Sequence, residues 1–221
     1  MSTKHKSNKA WIHEHINDAY VLAARSAGWR SRAAYKLMQI DEKDHLLGSG
    51  MLVVDLGAAP GSWSQYAAQR VAPGGRIYAL DLLPMTNIAG VEFIQGDFRE
   101  AEALARLEAC LGNRQVDLVL SDMAPNLSGI ADADQARIAH LAELTLDFAR
   151  AHLKTGGDML LKLFQGAGCM ELRAAMQQSF EKILMRKPEA SRGRSAETYL
   201  LARNKRASSS PTAIALESSN S

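Results

Sequence analysis

Glycines and carboxylates follow three apolar runs in a pattern that could bind a small ligand. The first run, residues 51–56, leads into Gly57 and Gly61, the second ends at Asp81, and the third is followed by Asp97. Glycine permits a tight turn and a close approach of the backbone to a ligand. In an open α/β sheet, an acid at the end of the second strand can accept hydrogen bonds from a ribose diol. These residues therefore predict a nucleoside pocket.

The predicted pocket lacks the features of phosphate-binding sites. Residues 57–61, GAAPG, do not have the G-x-G-x-x-G spacing of dinucleotide sites, and Pro60 removes a backbone N–H that a pyrophosphate would use. No Gly-Lys-Ser/Thr motif of a triphosphate site occurs in the chain. Asp97 is followed by Phe98, a pair that suits the amino group and the flat face of adenine. A nucleoside without phosphates fits this pattern, and S-adenosylmethionine is the common one.

Apolar runs and amphipathic segments alternate along the chain and position these strand ends. Five runs predict buried strands, four segments between them predict helices, and two later runs predict an antiparallel hairpin at the sheet edge. Further helices are expected over 8–24 and after a cap at Ser31. This alternation predicts an α/β fold with a mostly parallel, seven-stranded sheet and helices on both faces. The predicted strands cover 51–56, 76–80, 91–95, 116–121, 158–164, 182–187 and 198–203, and the helices 62–71, 99–111, 133–154 and 168–179.

Positive charge is concentrated near the two ends of the chain. Residues 1–40 hold seven Lys and Arg against two acids, and residues 182–206 hold eight against two. Residues 41–181 hold eleven against nineteen acids. This uneven distribution of charge predicts that elements near both termini bind an anionic polymer, while the acidic middle of the chain binds the nucleoside.

Length and composition are those of one globular domain of ordinary size. Of 221 residues, 47% are apolar and 23% charged, and no run approaches the roughly 18 apolar residues of a membrane span. The first residues lack an apolar signal segment and the two cysteines fit a reducing compartment, so we expect a cytoplasmic, monomeric protein with no membrane partner. We divide the chain into a basic extension (1–30), one main domain (31–206) and a disordered, Ser-rich tail (207–221).

Motifs along most of the chain resemble, in order and in register, those of the FtsJ/RrmJ family. Its members are 2′-O-methyltransferases of large-subunit ribosomal RNA, with the Rossmann-like fold of class I methyltransferases. The resemblance covers about residues 20 to 205. Its motifs are SRAAYKLMQID (31–41), VVDLGAAPGSWSQ (53–65), ALDLLPM (79–85), QGDF (95–98), SDMAPNLSG (121–129), LLKLFQG (160–166) and SRGRSAETYLLAR (191–203).

The resemblance implies a catalytic tetrad, a methyl-donor site and an RNA substrate. Methyl transfer from a sulfonium needs no metal, because the donor is already activated by its charge. The implied acceptor is the 2′-O of a uridine in the A-loop of the large ribosomal subunit. The tetrad carries over as Lys36, Asp122, Lys162 and Glu197. The residues expected to bind S-adenosylmethionine are Gly61, Trp63, Asp81, Asp97 and Asp122, to which we add Gly57 and Pro60 of the glycine turn.

Lys162 is the central candidate for handling the ribose proton. It lies inside the apolar stretch LLKLF, where burial disfavours its charge, and Lys36 would act in the same direction. Asp122 and Glu197 would favour the ammonium. A neutral Lys162 would be a general base, whereas a charged one would orient the hydroxyl and stabilise the developing alkoxide. The sequence leaves both roles open.

Three alternatives to ribose methylation of ribosomal RNA are methylation of a base, a noncatalytic role in ribosome assembly and methylation of another RNA. Methylation of an exocyclic amine usually shows an Asn/Asp-Pro-Pro-aromatic loop after the fourth strand, where this chain has DMAP at 122–125. A noncatalytic ribosome-assembly factor would not need the complete tetrad, and another RNA, such as a transfer RNA, is an alternative substrate. The basic clusters flank tetrad residues, so we expect them to contact RNA phosphates. They comprise Arg25, Arg30, Arg32, Arg192 and Arg194.

Overall fold

The computed structural model describes residues 18–125, 128–164, 169–191 and 197–207. Within these ranges it contains six helices and seven strands. In chain order they are α1 (Ala19–Ser26), α2 (Ala33–Asp44), β1 (Leu52–Leu56), α3 (Ser62–Val71), β2 (Arg76–Asp81), β3 (Val91–Gln95), α4 (Ala101–Leu111), β4 (Val116–Ser121), α5 (Ala131–His152), β5 (Leu153–Phe164), α6 (Cys169–Ser179), β6 (Phe180–Arg186) and β7 (Glu197–Lys205).

All seven strands form one sheet, in the order β3-β2-β1-β4-β5-β7-β6. Neighbours among β1 to β5 are parallel, whereas β7 runs antiparallel to both β5 and β6. The strand order reverses between β1 and β4, and open α/β sheets bind ligands at the carboxyl ends of the strands beside such a point. The predicted Rossmann-like fold with an antiparallel last strand is confirmed. The edge strand at that end of the sheet is β6.

Two apolar clusters cover the two faces of the sheet. Alternate side chains of a strand point to opposite faces, so Val53 packs against α2 and α3 while Val54 packs with α4 and α5. The same alternation places Leu160 and Tyr199 on the α2/α3 face. Lys162 is two residues from Leu160, so it lies on that face too, and the catalytic chemistry predicted for it must involve α2 and α3.

Several element ends differ from the sequence prediction by one or two residues, and the start of β5 differs by more. The helix predicted over 133–154 ends at His152, because Leu153 already pairs with Val116 and begins a longer β5. The helix predicted over 8–24 is described only as α1, which starts after Asp18, whose side chain accepts the Tyr20 N–H at 3.0 Å; residues 8–17 lie outside the described ranges. No helix in the described part of the chain is both long and apolar enough to cross a membrane.

A buried carboxylate, Asp41, fixes helix α2 against helix α3. Its Oδ1 accepts the N–H groups of Leu46 and Leu47 at 2.8 and 2.9 Å, and its Oδ2 accepts the Tyr66 hydroxyl at 2.8 Å. A buried carboxylate with all these donors is satisfied and rigid, whereas an unpaired one would be costly. The helix that carries Lys36 is therefore held in one position on the sheet.

Candidate active site

The loop between β1 and α3, residues 57–61, forms the floor of a cleft at the carboxyl edge of the sheet. Gly57 and Gly61 have φ angles of +76° and +99°, which other residues adopt only with strain. A Cβ at Gly57 would also lie 2.9 Å from the backbone of Met123. Position 57 therefore requires glycine, because its φ angle is positive and because the loop that follows β4 approaches it closely.

The cleft has a volume of about 570 Å³, within the usual range for small-molecule sites. Its walls come from the loops that follow β1 to β4 and from one face of α5. The lining includes Gly57, Asp81, Leu82, Asp97, Phe98, Asp122, Met123, Arg137 and His140. The structure thus brings together the glycine turn after β1 and the two carboxylates that the sequence analysis placed after the second and third strands, Asp81 and Asp97.

Asp81 lines the cleft and still has capacity to accept hydrogen bonds. Its Oδ2 accepts the Ala59 N–H at 2.9 Å and its Oδ1 accepts the Leu83 N–H at 2.8 Å. A carboxylate has about four lone-pair sites, so each oxygen retains one for a hydroxyl. These oxygens could accept both hydroxyls of a ribose, as the nucleoside prediction requires.

Asp97 lines the same cleft and is held by Arg99. The guanidinium donates to both carboxylate oxygens, at 2.5 to 3.1 Å. These hydrogen bonds hold the pKa of Asp97 below its ordinary value. The neighbouring Phe98 is buried and packs edge-on against Phe148. Asp97 and Phe98 both line the cleft where the sequence analysis expects an adenine, whose amino group would replace one of the Arg99 donors at Asp97.

Two side chains support the floor loop from behind. The Trp63 indole is only 2% exposed, donates to the Ala33 carbonyl at 2.8 Å and packs against the ring of Tyr199. Trp63 therefore borders the site from inside the protein rather than across an open surface. Asp55 is fully buried and accepts the Ser64 hydroxyl at 2.5 Å, and burial raises the pKa of Asp55 to about 7.

Lys162 and Asp122 form an ion pair where β4 and β5 end. Lys162 Nζ lies 3.0 Å from Asp122 Oδ1 and 2.5 Å from the Asp122 carbonyl oxygen. The lysine side chain is 8% exposed and the aspartate 20% exposed. Asp122 also lines the cleft, so Lys162 Nζ lies at the border between the cleft and the α2/α3 face.

Lys36 and Glu197 form a second ion pair, in which Nζ lies 2.7 Å from Oε1. Ser191 donates its hydroxyl to the same oxygen at 2.9 Å. Burial alone would raise the pKa of Glu197, but the charge and hydrogen bond of Lys36 outweigh it and hold that pKa below its ordinary value. Ser191 and the charge of Lys162 contribute in the same direction. The two ion pairs therefore interact, and the four tetrad residues make one cluster.

Tyr199 belongs to this cluster and was missed by the sequence analysis. It is directly opposite Lys162 in the β5–β7 register and donates its hydroxyl to Asp122 Oδ1 at 3.1 Å. Burial, and next the charge of Asp122, raise the pKa of Tyr199, so the phenol stays protonated as a donor. Its place two residues after Glu197 in a strand was the available signal, because such residues share a face.

We expect Tyr199→Phe to lower kcat by a few-fold to about tenfold, with the KM for the methyl donor changed less than twofold. The phenol orients Asp122, which in turn holds Lys162, and one hydrogen bond to a charged group contributes roughly 1.5–3 kcal/mol. Steady-state methyl-transfer kinetics would measure both constants. Tyr78→Phe is the matched control, because it removes the hydroxyl of another buried tyrosine, which accepts from Arg114 and does not contact the tetrad residues. An equal loss of kcat in both variants would contradict a specific role for Tyr199.

The arginines assigned to RNA do not share one environment. Arg25 is exposed in the last turn of α1. Arg32 is mostly buried, pairs with Asp18 and donates to the carbonyl of Ala190. Arg30 donates to backbone carbonyls of the loops around the cleft. The RNA assignment stays a prediction, and two of its members lie outside the described residues: Arg192 and Arg194.

Comparison with known proteins places this geometry in a family. The FtsJ-like methyltransferase family matches residues 29–205. A ribosomal RNA large subunit methyltransferase E of Neisseria meningitidis is 58% identical over 206 residues, which cover 93% of this chain and 100% of the relative. Its counterpart in Azoarcus sp. is 61% identical over 198 residues, 90% of this chain and 97% of that protein.

Solved structures give the same fold. A Plasmodium falciparum protein described as a ribosomal RNA methyltransferase superposes with a TM-score of 0.71 at 28% identity, over 80% of this chain and 98% of that one. Fibrillarin from Aeropyrum pernix, solved with bound S-adenosyl-L-methionine, shares the fold at a TM-score of 0.55 and 17% identity, over 78% of this chain and 74% of that one. The extent of the family match and the identity to full-length relatives show that this chain belongs to the FtsJ-like methyltransferase family.

Proposed function

We propose that this protein transfers a methyl group from S-adenosylmethionine to the 2′-O of a ribose in large-subunit ribosomal RNA, at a uridine of the A-loop. The observation that carries the proposal is the Lys162–Asp122 ion pair at the mouth of a nucleoside-sized cleft. The names of the similar proteins support the ribosomal substrate. A large-subunit substrate implies action in the cytoplasm.

The residues of the cleft suit the methyl donor. Asp81 has free lone pairs for a ribose diol, and Asp97 with Phe98 suits adenine, while the floor at Gly57 admits close approach of a ligand to the backbone. S-adenosylmethionine supplies an electrophilic methyl group when it is bound. Asp122 both lines the cleft and pairs with Lys162. An acceptor hydroxyl beside Lys162 would therefore lie next to the cleft that holds the methyl donor.

Lys162 would orient the acceptor hydroxyl and stabilise the negative charge that develops on its oxygen. The oxygen would form a bond to the methyl carbon while the carbon–sulfur bond breaks, so that S-adenosylhomocysteine leaves and the hydroxyl proton passes to water. An ammonium that is fixed by Asp122 and by a carbonyl oxygen keeps its geometry during the reaction, which is the condition for electrostatic stabilisation. Positioning of the hydroxyl for in-line attack contributes as well. Lys36, held by Glu197, adds positive charge on the same face, where the RNA backbone would approach.

The direct test is incorporation of a labelled methyl group into ribosomal RNA. Purified protein would be incubated with tritiated S-adenosylmethionine and either large ribosomal subunits lacking the modification or the free RNA. We expect label in an alkali-resistant dinucleotide at a single uridine, because a 2′-O-methyl group blocks alkaline cleavage. Label released as a methylated base, or no label with either substrate, would contradict the proposal. A transfer RNA arm tests the alternative substrate.

The basic ends are expected to hold RNA phosphates. We expect RNA binding to depend less on salt when Arg25, Arg192 and Arg194 are all changed to alanine. The slope of log K against log salt concentration should become shallower by about 0.7 to 0.9 for each phosphate that is no longer neutralised. Filter binding over a salt series would measure the slope. Arg76→Ala is the control, because Arg76 is exposed at the amino end of β2, away from the cleft. An unchanged slope in the triple variant would contradict the assignment.

A further inference from the structure

Polar contacts join the segment preceding α2 to the start of helix α3. The Gln65 side chain accepts the Arg30 N–H at 3.1 Å and donates to the Gly28 carbonyl at 2.9 Å. The hydroxyl oxygens of Ser31 and Ser62 are 2.7 Å apart. The segment between α1 and α2 is therefore attached to the helix that begins at the cleft floor.

The Arg30 guanidinium bridges two loops that border the cleft. Its Nη1 donates to the carbonyls of Pro60 and Thr86, both at 2.9 Å, and its Nη2 donates to the carbonyl of Asn87 at 2.8 Å. Pro60 belongs to the floor loop after β1, whereas Thr86 and Asn87 belong to the loop after β2. Because a guanidinium is planar and its donors have fixed directions, these contacts set the separation of the two loops.

The same two loops are joined by Asp81 on the cleft side. Asp81 accepts the N–H of Ala59 from the floor loop and the N–H of Leu83 from the loop after β2. Arg30 makes the equivalent connection through carbonyls, and a Cβ at Gly61 would lie 3.1 Å from its Nη1. The two loops are therefore held through their N–H groups by Asp81 and through their C=O groups by Arg30. A shift of either loop would displace Asp81.

We propose that Arg30 is a positioning residue of the donor cleft, which holds the floor loop and the loop after β2 in the arrangement that binds the methyl donor. The inference rests on the proposed function, in which this cleft takes S-adenosylmethionine. A pre-arranged site binds more tightly because the loops need not be ordered on binding. Arg30 lies in the basic end of the chain, but both N–H groups of its Nη1 are already directed to carbonyls, which an RNA phosphate would have to displace.

Calorimetric titration with S-adenosylmethionine tests the assignment. We expect Arg30→Ala to raise the Kd by tenfold or more, and to raise the KM for the donor while kcat at saturating donor stays within about threefold. Arg30→Lys should recover little of the affinity, because one ammonium cannot reach carbonyls of two loops in the geometry of a guanidinium. Arg76→Ala, which removes an exposed arginine at the amino end of β2, should leave the Kd within twofold.

Hydrogen exchange supplies a readout that does not depend on the ligand. In Arg30→Ala, amides of residues 57–65 and 82–90 should exchange at least tenfold faster, while those of α6 are unchanged. If Arg30→Ala does not fold, the same exchange rates would be measured in Arg30→Lys and Gln65→Ala. An unchanged donor Kd, or full recovery by lysine together with a loss of RNA binding in the alanine variant, would overturn the proposal. A wild-type protein that does not bind the donor would instead contradict the proposed function.

Discussion

Lys162→Ala is expected to reduce the rate of methyl transfer by roughly 10²-fold or more while the affinity for S-adenosylmethionine stays within a few-fold. Positioned groups that handle a reacting proton typically contribute 10² to 10⁴ in rate. The contacts of Lys162 are with Asp122 rather than with the floor loop, so donor binding should survive its loss. Single-turnover rates and calorimetric titration would measure the two quantities separately.

Two further variants control for the effect of Lys162→Ala: one changes another lysine of β5, and the other replaces Lys162 with arginine. Lys154→Ala removes an exposed β5 lysine that pairs with Asp117, and it should leave the rate within twofold. Lys162→Arg should not restore activity, because a guanidinium is larger and planar and would not place a donor where the Lys162 Nζ atom lies. Thermal unfolding must show that each variant is folded, since Asp122 loses a partner in the alanine variant. A folded and fully active Lys162→Ala would refute the proposed chemistry.

Asp81→Ala is expected to weaken S-adenosylmethionine binding by roughly 10²-fold or more. Two ribose hydroxyls would lose a charged acceptor, and each such hydrogen bond contributes roughly 1.5–3 kcal/mol, where about 1.4 kcal/mol corresponds to a tenfold change. The N–H groups of Ala59 and Leu83 would lose their acceptor as well. Calorimetric titration with the donor would measure the change.

A graded series separates the charge of Asp81 from its shape. Asp81→Asn retains one acceptor oxygen and should fall between the wild type and the alanine variant. Glu143→Ala removes an exposed acid of α5 and should leave donor affinity unchanged. The assignment of Asp81 to the ribose would be untenable if the alanine variant bound the donor as tightly as the wild type does.

Local patterns were sufficient to predict the architecture and the donor cleft. Apolar runs bounded by Gly, Pro and Asp placed β3 and β4 at 91–95 and 116–121, where the structure has them. The residues that follow parallel strands necessarily meet at one edge of the sheet, so Asp81 and Asp97 could be assigned to one cleft before any contact was known. The boundary between α5 and β5 was misplaced, because pairing with a distant strand decides where a helix stops.

Side-chain pairings across elements were decided only by the tertiary structure. Lys36 and Glu197 are far apart in sequence and form an ion pair because α2 packs on the face of the sheet where β7 presents Glu197. Tyr199 reaches Asp122 because the β5–β7 register sets it opposite Lys162, and a shift of one residue would turn it to the other face.

The amino-acid sequence by itself predicted the fold class and the glycines and acids that line the cleft and, through the family resemblance, the four residues that form the two ion pairs. These properties follow from local periodicity, turn chemistry and motif order. The tertiary structure decided that the Trp63 indole is buried behind the floor loop and that Arg30 joins two loops of the cleft. Its charge and its place near Lys36 in the sequence predict a contact of Arg30 with RNA. These features record the sign of a side chain but not the carbonyls that folding brings within its reach.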